Sequence, residues 1–243
     1  MIDHVSHLRY NGELLGRAAE NDLEELGTPI PSCPGWNMGK LLVHMGQHHR
    51  WVADSLRKKG AMPDTPGKPG LRGALLLDWF RQGWAELADL LEGMDDSEPA
   101  WSWSREQTVG FWRRRTSLET LVHRWDAENA LGPTNRFNVE LAADCADEVL
   151  FVMLPEAGQQ AIYRGPSGSA CLSCRDHPSA WTLVMHDGEA PKIQRGPPDV
   201  ADVTVSADAE GMALLLWGRG GEGDLDIAGD DQLGEEILRW IHE

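Results

Sequence analysis

From Arg113 to Glu128 the chain reads R-R-R-T-S-L-E-T-L-V-H-R-W-D-A-E, and the spacing of these side chains decides the fold. At about 100° per residue, Leu118, Leu121, Val122 and Trp125 form one apolar face. Trp112, Thr116, Glu119, His123, Ala127 and Ala130 line a second. A helix with two faces that avoid water lies between neighbours, so this segment belongs inside a helical bundle. The second face is mostly small, and it carries a carboxylate and an imidazole four residues apart, one above the other. Glu119 and His123 then read either as a surface ion pair or as two ligands of one metal ion.

Working outward, stretches of helical period cover residues 3–26, 37–59 and 71–93, with 109–131 as the fourth. Pro29, Pro31, Pro34 and Gly35 break the chain before Asn37, which stands where an N-cap should, and Gly60 to Gly70 contains Pro63, Pro66 and Pro69. This is the outline of a four-helix bundle. On the second helix Leu41, Met45, His48, Val52 and Leu56 make the apolar stripe, and His44 lies about 60° from its centre, facing inward or nearly so. His44 is either a core histidine satisfied by a hydrogen bond or the third member of a two-histidine, one-carboxylate set with coordination positions left open. His48, one turn on, reads as a packed or supporting group, as a fourth ligand, or as an acid/base residue, while His49 is expected in solvent. Asp126 can orient the His123 imidazole or cap a charged rim. Trp36 and Trp51 read as bundle core or pocket wall.

After Gly132 and Pro133 a further helix is expected near 138–154, and then the texture changes. Trp181 to Met185 and Val203 to Val205 alternate as strands do, Asp187-Gly188 signals a turn, and helices fit Ala209 to Trp217 and Gln232 to Ile241. The expected class is α+β: a helical bundle over residues 1–155 and a smaller α+β domain over 156–243. Cys171 and Cys174 form a CxxC in a strand-like stretch with no second CxxC, so two packed thiols are expected in place of a zinc or redox site.

With 243 residues, 41% hydrophobic, the chain can bury a real core. Its net charge of -17 repels phosphate backbones and anionic headgroups, which argues against nucleic acid and membrane partners. Neither a bilayer-length apolar run nor the basic region of a signal peptide is visible, and four unevenly spaced cysteines suit a reducing compartment, so a cytoplasmic protein is expected. Only five of the 22 basic residues are lysine, a bias common in high-GC genomes and silent on chemistry.

P-S-C-P-G-W at 31–36, L-L-V-H at 41–44, the segment from Arg113 to Glu128 and L-L-L-W-G-R at 214–219 together resemble the mycothiol-dependent maleylpyruvate isomerase family, over nearly the whole chain. The resemblance implies a DinB-like metal-binding bundle with His44, Glu119 and His123 as ligands of a divalent metal, zinc above others. It also implies that Arg219, from the smaller domain, orients a substrate carboxylate or stabilises a developing enolate. On the residues alone, Arg219 could instead offset the dipole of the helix ending near Trp217.

The activity implied is activation of mycothiol, or a similar small thiol, as a metal-bound thiolate. P-S-C-P-G-W and the H-R-W-D-A-E after Val122 look like a broad actinobacterial branch that includes mycothiol S-transferases. The expectation is therefore S-transfer to an electrophilic small molecule, with cis-trans isomerisation of the maleylpyruvate type as the alternative. A non-catalytic zinc-binding regulator is a second alternative, but such sites resemble H-x-x-x-C-x-x-C on one helix, and here His48 stands at the fourth position after His44. A metal-free binding protein is the remaining reading. The partners expected are a small electrophile and a thiol, with the protein a monomer or weak dimer.

Overall fold

In the computed structural model, which describes residues 2–22, 24, 26–156, 162–219 and 225–242, the chain divides into two compact units, Met1–Asn135 and Arg136–Glu243. The first is built from α1 (His4–Glu20), α2 (Met38–Arg57), α3 (Gly73–Glu92) and α4 (Val109–Asn129). Asp3, Asn37 and Thr108 each accept a hydrogen bond from a backbone N–H in the first turn of the helix that follows, satisfying a donor that the helix itself cannot. Asn37 thus stands at the N-cap where the sequence puts it. The first helix stops earlier than its apolar period suggests, because the Asp22 carboxylate takes the Thr28 N–H at 2.8 Å and folds the chain back.

Each helix packs against two others, α1 against α3 and α4, and α2 against α3 and α4. Leu15, Met38, Leu41, Leu42, Met45, Leu76, Leu77 and Phe80 fill the space between them. The rotation of α2 is fixed by a close approach: a Cβ on Gly46 would collide with the Trp79 ring of α3. Arg50 lies 4.0 Å over the same ring and donates to the Gly46 and Trp79 carbonyls, at 3.1 and 2.7 Å. Before α2 the P-S-C-P-G-W segment is a tight turn, closed by Ile30 N–H to Trp36 O at 3.1 Å and Trp36 N–H to Cys33 O at 2.9 Å, with Gly35 in the left-handed region at φ +80.

The second unit begins with α5 (Val139–Glu148), which passes through one π-helical turn (Val149–Met153) into α6 (Leu154–Glu156). Strands β1 (Gly168–Cys174), β2 (Ala180–Met185), β3 (Lys192–Arg195), β4 (Val203–Ala207) and β5 (Asp226–Gly229) form one sheet in the order β3-β2-β1-β4-β5, with β1 and β4 parallel and the other pairs antiparallel. In its register Leu172 faces Trp181 on one side and Val205 on the other. Helices α7 (Ala209–Leu216) and α8 (Asp231–His242) complete the unit. The class is α+β, a four-helix bundle followed by a small sheet domain.

The units divide upstream of the boundary at 155/156 read from the sequence. Ala146, Val149 and Leu150 share one core with Leu172, Trp181, Leu183, Met185, Val205, Met212 and Ile237, so α5 belongs with the sheet although it reads as one more bundle helix. No disulfide joins the cysteines, and Cys171 and Cys174 lie on β1, where burial, with Asp176 and Asp208 nearby, pushes the Cys174 thiol up to about 11. Among the described residues no helix is long and apolar enough to cross a membrane.

Candidate metal centre

Three side chains converge between α2 and α4. Glu119 Oε1 lies 3.3 Å from His44 Nε2 and 3.3 Å from His123 Nε2, and the three ligand atoms all fall within 4.8 Å of one another. Two atoms each about 2.05 Å from an ion and subtending a tetrahedral angle are about 3.3 Å apart, so the two separations from Glu119 Oε1 match edges of such a site. The set is asymmetric in its access to water: the His44 side chain is 38% exposed, Glu119 12% and His123 5%. Protein closes the site on the α4 side and leaves it open on the α2 side.

Each ligand on α4 is held by a partner. His123 Nδ1 lies 2.8 Å from Asp126 Oδ2, with Asp126 fully buried. The Ser32 hydroxyl donates to the other Asp126 oxygen at 2.5 Å, and the Cys33 thiol lies 3.5 Å from Oδ2. A buried carboxylate on Nδ1 keeps the proton there and turns the Nε2 lone pair outward, as metal-ligating imidazoles require. Cys33, His123 and Asp126 are also close enough to hold an ion, but their ligand atoms already face one another. Glu119 is held from its far side by an ion pair between its Oε2 and Arg115, a buried guanidinium one turn earlier on α4. That pairing fixes the carboxylate rotamer and leaves Oε1 to the two histidines.

Trp36, delivered by the turn before α2, covers both imidazoles, with ring centroids 4.9 Å from His44 and 6.1 Å from His123. It is pocket wall. Together with Val43, His44, Gln47 and Leu71 it borders a cavity of about 590 Å³. Trp51 instead packs edge-on against Trp101 and Trp112. His48 is not part of the three-ligand group; its half-buried ring meets Trp112 edge-on and its Nε2 has no hydrogen-bond partner. Burial holds His48 well below its ordinary pKa, and the positive charges of Arg115, His44 and His123 push the same way.

His49 departs from the sequence reading. It is fully buried, not solvated, with Nε2 3.1 Å from the Thr120 hydroxyl, which in turn donates to the Thr116 carbonyl at 2.7 Å. It faces α4 because α2 is covered on more than one side. Sequence reasoning also passed over Arg115 and Ser32. The i, i+4 spacing of Arg115 and Glu119 was a usable signal, whereas nothing local connects Ser32 to Asp126, 94 residues away.

Arg219 lies in the second unit, just past α7. Gly218, at φ +66, donates its N–H to Leu215 O at 2.9 Å, and the Arg219 N–H donates to Leu214 O at 2.7 Å, the paired bonds of a Schellman helix end. The Arg219 guanidinium donates to Trp217 O at 2.8 Å. That bond lies at the end of α7.

Two family models match the chain: the mycothiol maleylpyruvate isomerase N-terminal domain over residues 10–128, and the C-terminal domain of the same enzyme over 140–236. A crystal structure of the mycothiol-dependent maleylpyruvate isomerase superposes with a TM-score of 0.63 at 13% identity, covering 93% of this chain and 92% of that one. A crystal structure of a mutant of that enzyme matches over the same shares with the same TM-score at 12% identity. No curated protein matched the sequence. The chain belongs to the mycothiol-dependent maleylpyruvate isomerase family.

Proposed function

We propose that this member of the family is an enzyme that holds a divalent metal, zinc by its donor set, on His44, Glu119 and His123, and uses it with mycothiol or a similar thiol to isomerise an electrophilic alkene. The observation that carries this reading is the pair of 3.3 Å separations about Glu119 Oε1, the edge length of a tetrahedral zinc site. When bound, the ion would supply Lewis acidity that brings the pKa of an arriving thiol down toward neutrality. The chain's own residues prepare for that. Asp126 keeps the His123 proton on Nδ1, Arg115 steadies Glu119, and Trp36 packs against both imidazoles. Three ligands leave at least one position for the thiol, which a closed four-ligand site would not.

In the isomerisation the thiol sulfur adds to one alkene carbon, the remaining carbon–carbon single bond rotates, and the carbon–sulfur bond breaks to return the thiol. No oxidant or reductant is needed. Arg219 is assigned to the substrate carboxylate or to the enolate oxygen that develops on addition. We place the activity in the cytoplasm, with the protein a monomer or weak dimer.

S-transfer, in which the adduct leaves as a thioether, shares the first step. P-S-C-P-G-W and H-R-W-D-A-E favour it, while the matching family models carry the name of an isomerase. The deciding experiment combines metal analysis of protein purified without a polyhistidine tag with a balance on the thiol during turnover. Full recovery of thiol beside a rearranged alkene supports isomerisation, and stoichiometric loss supports transfer. Less than about half an equivalent of metal overturns the centre itself.

A further inference from the structure

The cavity beside His44 is cationic in a strongly anionic protein. Its wall includes Lys40, Lys68 and Arg72, and no Asp or Glu is among the described residues that line it. The chain has 22 Lys and Arg against 39 Asp and Glu, so three charged residues placed indifferently would all be basic about one time in twenty. Several half-buried cations of this unit instead sit on carboxylates: Arg9 on Asp89 and Glu92, Lys58 on Asp54 and Asp64, Arg81 on Glu20. Lys68 and Arg72 make no ion pair among the described residues.

These positions are set by contacts that do not consume the charges. Lys40 donates to the Gly35 carbonyl at 2.6 Å, which ties it to the turn that delivers Trp36. Lys68 sits in the proline-rich connection that Gln47 of α2 grips through the Pro66 carbonyl at 2.8 Å. Arg72 precedes α3 as its N-cap by backbone alone, without a side-chain cap bond, and the N-terminal end of that helix adds positive potential. Leu26, Val43, Leu71 and Leu76 supply an apolar floor, and about 590 Å³ is room for a small organic ligand.

We propose that this cavity is an anion-recognition subsite, in which Lys40, Lys68 and Arg72 hold a carboxylate or phosphate of a molecule whose other end reaches His44. The inference rests on the proposed metal centre for its place in catalysis, though not for the binding itself. The anionic group belongs to the electrophile, or to a thiol cosubstrate that bears a carboxylate or phosphate.

Calorimetric titration with succinate, and with its dimethyl ester as the uncharged control, tests this on the full-length protein both as purified and after treatment with a chelator. Succinate should bind in both states, and the ester at least about tenfold more weakly. The double variant Lys68→Gln/Arg72→Gln should also lose at least about tenfold, because charge-assisted contacts are the strong ones. Both side chains are exposed and neither caps a helix, so the variant keeps its fold. Absence of succinate binding, or binding that vanishes with the metal and is untouched in the double variant, overturns the proposal. In turnover, a rise in KM confined to a carboxylate-bearing electrophile assigns the anion to the electrophile, and a rise confined to the thiol assigns it to the thiol. No rise in either overturns the subsite's role in catalysis. Succinate binding in a protein that turns over no thiol would leave the subsite standing and remove the proposed activity.

Discussion

Helix α4 and the core of the sheet domain solve the same packing problem with different material. Around β1 and β2 the buried residues are Leu172, Trp181, Leu183, Met185 and Val205, an ordinary apolar interior. On α4 the buried set includes Arg115, Thr116, Ser117, Thr120, His123, Arg124, Asp126 and Glu128. Burying such groups costs several kcal/mol each unless partners are supplied, so a helix gives up apolar burial only where something else is gained. Part of the gain is structural: Arg124 pairs with Glu128 at 2.7 Å and donates to Asn135 O at 2.6 Å, which fixes the end of the bundle. Arg115, His123 and Asp126 belong to the candidate centre instead, Arg115 paired with Glu119, His123 beside Glu119 Oε1 and Asp126 behind His123. The contrast separates residues that hold the fold from residues that hold the site.

The sharpest way to break that contrast is to remove a ligand. Glu119→Ala and His123→Ala should each abolish turnover, by about a thousandfold or more, and bring bound metal toward background, while circular dichroism shows the helices intact. Full activity in either variant would mean that the buried polar residues of α4 serve folding alone. Leu172→Ala, in the apolar core, should do the opposite. It is expected to lower unfolding free energy by about 2–5 kcal/mol in denaturant titration, with metal per folded molecule unchanged.

Arg219→Lys sharpens the comparison, since Arg219 is the residue of the second unit assigned to chemistry. Turnover should fall by about one to three orders of magnitude with metal and thiol binding retained, because the planar fork is lost while the charge stays. A lowered melting temperature with turnover unchanged would leave it only the helix-end role that its bond to Trp217 O already shows. Asp126→Asn should weaken metal affinity about 10- to 100-fold in a chelator competition, with the fold intact.

The smallest effect concerns His49. Burial holds its imidazole well below the ordinary value of 6.5, so the unfolded chain takes up a proton that the folded chain refuses. Its contribution is complete above that value and declines as the pH falls beneath it. His49→Gln retains a partner for Thr120 without the titration. Below pH 6.5 its stability should fall less steeply than the wild type's, by up to about 1.4 kcal/mol per pH unit.

Much of this was legible in the sequence because the bundle helices carry clear periods and caps: Asn37 announced α2, and the two faces of 109–131 announced a helix between neighbours. Strands β3 and β5 were not legible, since edge strands with one half-buried residue in four show no alternation. The division into compact units lies upstream of the sequence boundary for a related reason, as the period of α5 is the same whether it covers helices or a sheet. His44, Glu119 and His123 were named from spacing and resemblance, and the structure brings their ligand atoms together. Arg115 was legible from its i, i+4 spacing to Glu119 and went unread, whereas Ser32 stayed hidden because its partner Asp126 lies 94 residues away. His49 was misjudged because an imidazole off the main apolar stripe can still meet a second helix.

The turn at P-S-C-P-G-W has a consequence for how the protein is made. His44 meets Glu119 across 75 residues, and Ser32 meets Asp126 across 94. A ribosome delivers the first member of each pair well before the second, and a loop of that length closes late in folding. While only the first two helices have emerged, the nascent chain can offer an ion little more than one exposed imidazole. The proposed metal centre is therefore expected to become complete only after release of α4 from the exit tunnel, as a last step of biosynthesis.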